Sequence, residues 1–397
     1  MEIYRAYKTE LNPNNTQKTA FIKCSDISRF TWNWALNNRI NYYKETGKYL
    51  NAIDQHKQLI VLKKTKFFWL YDISKYVPQE SLRNLDKAYQ NFFQRVKSGK
   101  KPGFPKYKSK KAGINSFKFS GNICISNSSI RLPRIGWVRL KEHNYIPTSN
   151  VHILSATISN DAGKWYVSVQ VRQDVEINQA VGESIGVDLG IKELAVISDG
   201  RRFENPKALK KHQIKLKRLQ RELSRRKKGS KNREKTRKKL AKLYKKISNT
   251  RKDTLHKTTS TIVAKNKLDS KRPNVVVIED LNVVGMMKNH HLAQAIGDAS
   301  FYEFRRQLEY KCKWYGSELL VADRFFPSSK LCSFCGSKNK ELKLSDRKWT
   351  CKCGKVLDRD LNAAINLKNL AVRWVPSKLG ESISSNACGE NIRPTNV

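Results

Sequence analysis

Acidic side chains are scarce in this chain. Its 397 residues hold 34 Asp+Glu against 79 Lys+Arg, a formal net charge of +45. That imbalance excludes a surface that neutralises itself through its own ion pairs. A protein gripping one short DNA site neutralises roughly 6–10 phosphates, and the excess here is several times larger. The expected partner is a long or folded polyanion, and RNA plus DNA is the economical reading. Charge alone leaves an anionic membrane surface or a ribosomal role as the alternative. Long apolar runs are also missing: none reaches the ~18 residues of a transmembrane helix, so no membrane partner is expected. The opening stretch MEIYRAYKTELNPNN has no apolar segment of signal-peptide length, which points to a cytoplasmic rather than a secreted protein. Cysteines number only eight, and in a reducing cytosol they form no disulfide framework. Four of them lie within the 22 residues 332–353, which points to metal.

The chain changes character along its length. Residues 14–100 read as helical, with apolar residues at three and four spacing from Thr16 to Trp34 and again at Leu82, Leu85, Tyr89, Phe92 and Phe93. Pro78 suits a first helical turn. KSGKKPGFPKYKSKKAG (97–113) is a loop in which Phe104 and Tyr107 sit among lysines, a pattern suited to nucleic-acid contact. Residues 116–175 switch to short alternating strands broken by turn residues, which reads as a small β-barrel. The first residues, IYRAYKTEL, supply one more strand, so the helical block is an insertion in that barrel. Residues 207–257 hold 23 Lys/Arg against Glu222, Glu234 and Asp253. Leu209, Leu216, Leu219 and Leu223 form one apolar stripe and Leu240, Leu243 and Ile247 another, with KKGSKN between them. This predicts a helical hairpin with a basic outer face, whose unpaired like charges an anionic partner would relieve.

Three acidic points stand out. Asp188 lies in SIGVDLGIKELAVIS, in or at the end of a largely buried strand, with ELAVIS as the next strand of a hairpin. Glu279 and Asp280 follow the continuous apolar run Val275–Ile278, as at the end of a central strand. Asp358 and Asp360 stand at or just before the first turn of a helix packed through Ala363, Ala364, Leu367 and Leu370. Buried carboxylates are costly unless paired or bound to metal. Two on core strands and one at a helix start suit a two-metal Mg²⁺ site for phosphodiester chemistry. CSFCG (332–336) and CKCG (351–354) place Cys332, Cys335, Cys351 and Cys353 as four thiolates for tetrahedral Zn²⁺. The second half is CxC, tighter than the usual CxxC.

In combination and order, these segments resemble the TnpB family, transposon-encoded RNA-guided nucleases related to type V CRISPR effectors. The resemblance is carried by KTELNPNNTQ, FTWNWAL, SLRNLDKAYQNFF, KPGFPKYKSK, INSFKFSG, IRLPRIGWVRL, IGVDLGIKELAV, VVIEDLNVVGM, FRRQLEYKCKWYG, CSFCG, DRDLNAAINL and ACGENIRP. It implies a multidomain α/β plus β-barrel fold: a wedge β-barrel at 1–10 and 114–180, a helical recognition domain at 11–113, and a RuvC-like (ribonuclease H-like) nuclease domain at 181–397. That last domain would carry the basic hairpin at 207–257 and a zinc-ribbon insertion at 328–356. The resemblance implies catalytic acids Asp188, Glu279 and Asp360, the last preferred to Asp358 by its place in the D-x-N-A-A pattern. It implies two Mg²⁺ ions, Zn²⁺, a guide RNA from the transposon end, and double-stranded target DNA cut beside a short transposon-adjacent motif by a monomeric enzyme of the prokaryotic cytosol. A nuclease-inactive regulator, a miniature type V CRISPR effector and a DNA transposase are the competing readings. Arg324 and Lys330 flank the site in sequence. For the flanking motif, Lys75, Gln79 and Arg83 repeat at i, i+4 and i+8, one helical face able to read a duplex groove. Lys106 and Lys108 would hold the DNA backbone nearby.

Overall fold

The computed structural model describes residues 1–110, 115–264, 271–343 and 345–378. The motif ACGENIRP, with Cys388, lies outside the described residues, as do 111–113 of the basic loop and Ile114 of INSFKFSG. The chain divides into two units, Met1–Val175 and Glu176–Val397.

The first unit begins with β1 (Glu2–Asn12), α1 (Asn15–Thr46), α2 (Ala52–Thr65) and α3 (Tyr76–Lys97). It continues with β2 (Asn115–Phe119), β3 (Cys124–Ile125), β4 (Ser129–Leu132), β5 (Gly136–Leu140), β6 (His152–Asp161) and β7 (Lys164–Asp174). These strands make one antiparallel sheet in the order β2-β6-β7-β1-β5-β4-β3. β1 is internal, paired with β7 from Glu2↔Asp174 to Leu11↔Trp165. All three helices therefore fall between two strands of a single sheet. Its edges are β2 and β3, and no hydrogen-bonded pairing among the described residues joins them. α1 starts at a reciprocal cap: Asn14 Oδ1 accepts from the Gln17 N–H at 2.8 Å, and Gln17 Oε1 accepts from the Asn14 N–H at 3.1 Å. The helix docks through Phe21, whose ring meets Trp165 on β7 at 5.0 Å and Phe117 on β2 at 5.9 Å.

The second unit holds β8 (Ile185–Leu189), β9 (Glu193–Ile197), β10 (Arg202–Glu204), α4 (Ala208–Arg225), α5 (Lys231–Ala264) and β11 (Val275–Glu279). α6 (Val283–Met286), α7 (Ala293–Ala299), α8 (Phe301–Tyr315), β12 (Glu318–Ala322), β13 (Lys348–Thr350), β14 (Val356–Asp358) and α9 (Arg359–Lys378) follow. The main sheet runs β10-β9-β8-β11-β12, antiparallel across β10, β9 and β8 and parallel across β8, β11 and β12. Strand alternation splits its residues between two cores. Ile185, Val187, Val276 and Ile278 pack in one core with residues of α5, α7 and α8. Val275 and Val277 pack on Leu367, Leu370 and Ala371 of α9. α9 lies so close to β8 that a Cβ on Gly186 would come within 1.9 Å of the Ala364 carbonyl oxygen. Only glycine permits that approach.

The basic hairpin forms, with Leu216, Leu219, Leu243 and Ile247 sealing α4 against α5. α5 runs past the expected limit at residue 257 to Ala264, and its last turns bury Leu255, Ile262 and Val263 in the main core. Half of this lysine-rich helix is thus a core element. Its polar first half disguises that role, because tertiary packing sets the burial of the second.

Candidate active site and cysteine knuckle

The register of the main sheet brings the first two acids together. Ile278 pairs with Val187, so one residue further along the two parallel strands come Glu279 and Asp188. By alternation these acids share the face of Val275, Val277 and Gly186, which is the face that α9 covers. Asp360 sits in the first turn of α9. All three line one cavity of about 870 Å³, together with Lys207, Lys210, Ser328, Arg347 and Arg359.

Burial pushes the Asp188 carboxyl well above its usual range, and the charges of Glu279 and Asp360 push it further. Arg359 and Arg347 oppose that shift. Burial also raises Glu279, against a hydrogen bond that the Ser328 hydroxyl donates to its Oε1. Arg347 holds Asp360 at 3.3 Å. Asp358 does different work. It accepts the Leu361 N–H at 3.0 Å as the cap of α9 and pairs with Arg202 at 3.1 Å. Burial raises its carboxyl, but that N–H and Arg202 more than offset it and hold it below the usual range. Asp280, the other acid of the VVIED run, does not line the cavity. It accepts from Arg305 at 2.9 Å and Arg324 at 2.5 Å. Lys330 also points elsewhere, donating to the Lys340 carbonyl at 3.5 Å.

The four cysteines converge. Cys332 Sγ lies 3.7 Å from Cys353 Sγ, and Cys335 Sγ lies 3.5 Å from Cys351 Sγ. All four sulfurs fall within 4.8 Å of one another, and among the described residues no other group of three His, Cys, Asp or Glu does so. The acids of the cavity are therefore neighbours, but not at that mutual spacing. Each knuckle closes with a glycine at positive φ: Gly336 donates to the Cys332 carbonyl and Gly354 to the Cys351 carbonyl, both at 2.9 Å. The shorter CxC half thus reaches the same point as CxxC. The Cys353 N–H and then the Ser337 hydroxyl hold the Cys351 thiol down to about 6, while Cys353 itself is raised to about 11, the Lys355 N–H being outweighed there by burial and the neighbouring thiols. Cys332, Leu342, Trp349, Cys351 and Leu357 form the small core beneath.

Two buried asparagines of α9 couple knuckle and cavity. Asn362 accepts from the Ser333 N–H at 2.9 Å and donates to the Leu331 carbonyl at 2.6 Å. Asn366 donates to the Ser328 carbonyl at 2.7 Å and the Leu331 carbonyl at 2.8 Å. They pin the segment that carries both Ser328 and Cys332. Sequence reasoning missed Ser328, Arg347 and Asn366. The signal available was two amides at i, i+4 on the apolar face of α9, which must find partners when buried.

The expected groove readers lie in the first unit. α3 begins at Tyr76, so Lys75 stands at its N-cap position rather than inside it. Gln79 Nε2 lies 3.1 Å from His56 Nε2, and Arg83 pairs with Glu80 at 2.7 Å. The basic loop is strapped along α1: Trp32 Nε1 donates to the Lys106 carbonyl at 3.0 Å, and Asn33 exchanges two hydrogen bonds with the Lys108 backbone. The Lys106 side chain is exposed. Lys108 Nζ sits 3.7 Å from the centre of the Trp32 ring, a cation–π contact that occupies it.

Among the described residues no helix is long and apolar enough to cross a membrane. The IS605 OrfB family model, described as "Probable transposase", matches residues 166–290, and a "Cas12f1-like, TNB domain" model matches 301–367. A "Helix-turn-helix domain" model matches 1–48, a stretch that here folds as β1 and the single long α1. A Streptomyces pristinaespiralis protein named "Putative RNA-guided DNA endonuclease" is 35% identical, over 99% of this chain and 93% of its own length. Escherichia coli K12 "Putative RNA-guided DNA endonuclease InsQ" is 33% identical, over 97% of this chain and 96% of its own length. The protein in a cryo-EM structure of a Cas12f1–sgRNA–target DNA complex shares the fold, with a TM-score of 0.57 at 15% identity, over 93% of this chain and 99% of that one. Matched end to end by such relatives, the chain belongs to the TnpB family.

Proposed function

We propose that this chain is an RNA-guided DNA endonuclease of a transposon, cutting DNA beside a short transposon-adjacent motif. One observation carries the reading: Asp188, Glu279 and Asp360 line a single cavity that also presents Lys207, Lys210, Arg347 and Arg359. Carboxylates ringed by cations are poor company for a phosphodiester unless something binds the acids.

The donor set fits Mg²⁺. All three groups are hard oxygen ligands brought to one cavity. When bound on Asp188, Glu279 and Asp360, two Mg²⁺ ions supply an activated water and charge for the leaving oxygen. The chain's own side chains do the positioning. Ser328 fixes the Glu279 carboxylate, and Arg347 steadies Asp360. Lys207 and Lys210 draw the phosphate backbone to the cavity mouth. The cysteine quartet fits Zn²⁺, because tetrahedral Zn–S bonds put sulfurs about 3.8 Å apart, close to the spacings above. We read that zinc as structural.

The charge excess of +45 supports a guide RNA besides DNA. In this reading the first unit is the wedge barrel with its inserted recognition helices, and a single chain acts in the cytoplasm. The start of α3 reads the flanking motif through Lys75 at its N-cap position and Gln79 and Arg83 in the helix, with Lys106 on the backbone. The test is to purify the protein with its RNA, sequence that RNA, and rewrite its variable segment. Cuts should move to the DNA that matches the new segment. Binding without any cut product would favour a regulator instead.

A further inference from the structure

Beside the acid cavity lies a second recess of about 200 Å³. Leu189, Glu279, Leu281 and Phe301 line both. The rim of the recess carries Val284, Tyr302, Arg305 and Arg324. Val284 is 77% exposed and Tyr302 72%, while Phe325, next to Arg324 in the chain, is 80% exposed. Single exposed apolar residues need no explanation. Here Val284 and Tyr302 border one recess that opens beside the acids, in the company of two guanidiniums. Asp280 binds one terminal nitrogen of each guanidinium through its two oxygens. Arg305 also donates its Nε–H to Glu309 at 3.1 Å. An arginine has five N–H donors in a fixed fork, so Arg305 keeps its second terminal nitrogen, and Arg324 the rest of its fork, for a further acceptor.

We propose that this recess is a shelf for one unpaired nucleotide of the DNA strand being cut. Its base stacks on Tyr302, and its phosphate takes the remaining donors of Arg305 and Arg324. Asp280 is a positioning residue that holds the two forks side by side. The inference rests on the cutting role proposed for the acid cavity. The chemistry selects this occupant. Aromatic faces beside cationic forks are how proteins hold single strands without reading sequence. A duplex offers no free base face, and the recess has room for a ring rather than a helix. The shared wall at Glu279 places the next phosphate of the same strand at the acids.

The test uses the complete RNA-bound protein and guide-matched DNA carrying 2-aminopurine beside the mapped cut. In an Asp188→Ala background the strand stays intact, and the probe should be quenched by stacking. Tyr302→Ala should release that quenching and Tyr302→Phe restore it. In the cutting protein, Tyr302→Ala should lower kcat/KM by roughly 5- to 150-fold, the range of one lost base stack. Tyr302→Phe should cut at close to the unmodified rate. Arg305→Ala with Arg324→Ala should reduce the slope of log binding against log salt by about 1. Tyr302 is exposed, so its loss opens no core. If the unmodified protein cuts but Tyr302→Ala cuts equally well with the probe unchanged, the shelf is wrong. If the unmodified protein cuts no guide-matched DNA, the cutting role itself falls and the shelf with it.

Discussion

The acid cavity and the cysteine knuckle gather like-charged groups by opposite means. Asp188 and Glu279 ride on neighbouring parallel strands whose apolar residues are already buried, and α9 adds Asp360 from above. The protein core sets their positions, at a cost that shows as an Asp188 pKa raised first by burial and then by the charges of Glu279 and Asp360. The four thiols instead sit on two tight turns over a core of only a few residues. In the proposed reading, a bound metal supplies there what packing supplies elsewhere. The difference separates a site whose geometry the core holds from one that rests on its own turns, so removing a metal should cost the knuckle stability and the cavity only chemistry.

The largest effect belongs to the cavity. Asp188→Ala should lower cutting by about 10³-fold, or roughly 4 kcal/mol, while Tm holds or rises. Its loss removes a buried, repelled carboxylate, so calorimetry showing a large drop in Tm would mean that the acid is structural. Cys332→Ser should do the reverse and release zinc and stability together, as read by elemental analysis and thermal melting. Cutting should fall as well, by about 10–100-fold, because Asn362 and Asn366 tie the knuckle segment to Ser328. Full activity in a zinc-free variant would uncouple the two sites. Gly186→Ala should destabilise by about 1–3 kcal/mol or more by pushing α9 off β8, measured by denaturant midpoint. Ser328→Ala should slow cutting by about tenfold with zinc content unchanged.

The smallest effect is a pH slope. Asp188 has its folded pKa raised above the unfolded value, chiefly by burial. Its contribution is therefore fully present below the unfolded pKa and is lost as pH rises through the folded one. Metal-free protein should lose stability across that window, Mg²⁺ should restore it at the high-pH end, and Asp188→Asn should flatten the slope. Identical slopes for the two proteins would contradict the burial argument.

Much of the cavity was legible because carboxylates at the ends of apolar strand runs are rare and costly. Choosing between Asp358 and Asp360 took more than periodicity. Only the fold shows that Asp358 caps α9 and meets Arg202, leaving Asp360 to face the cavity. The lysines that dominate the start of α5 hide the core role of its second half, where Leu255, Ile262 and Val263 are buried. Ser328 reaches Glu279 from 49 residues along the chain, and Arg347 reaches Asp360 across the β13–β14 hairpin, so no helix or strand period exposes either. On α3 the helical face was legible but its partners were not: His56 beside Gln79 comes from α2, and Lys108 turns back onto Trp32.

The central claim is that three carboxylates in one cavity cut DNA chosen by a bound RNA. It is tested most directly by giving the RNA-bound protein two DNAs, one matching the guide segment and one not, with Asp188→Ala as the parallel sample. Both proteins should bind the matching DNA, and only the unmodified one should leave a Mg²⁺-dependent cut, in that DNA alone. A cut of equal yield from Asp188→Ala, or equal cutting of both DNAs, would contradict the account.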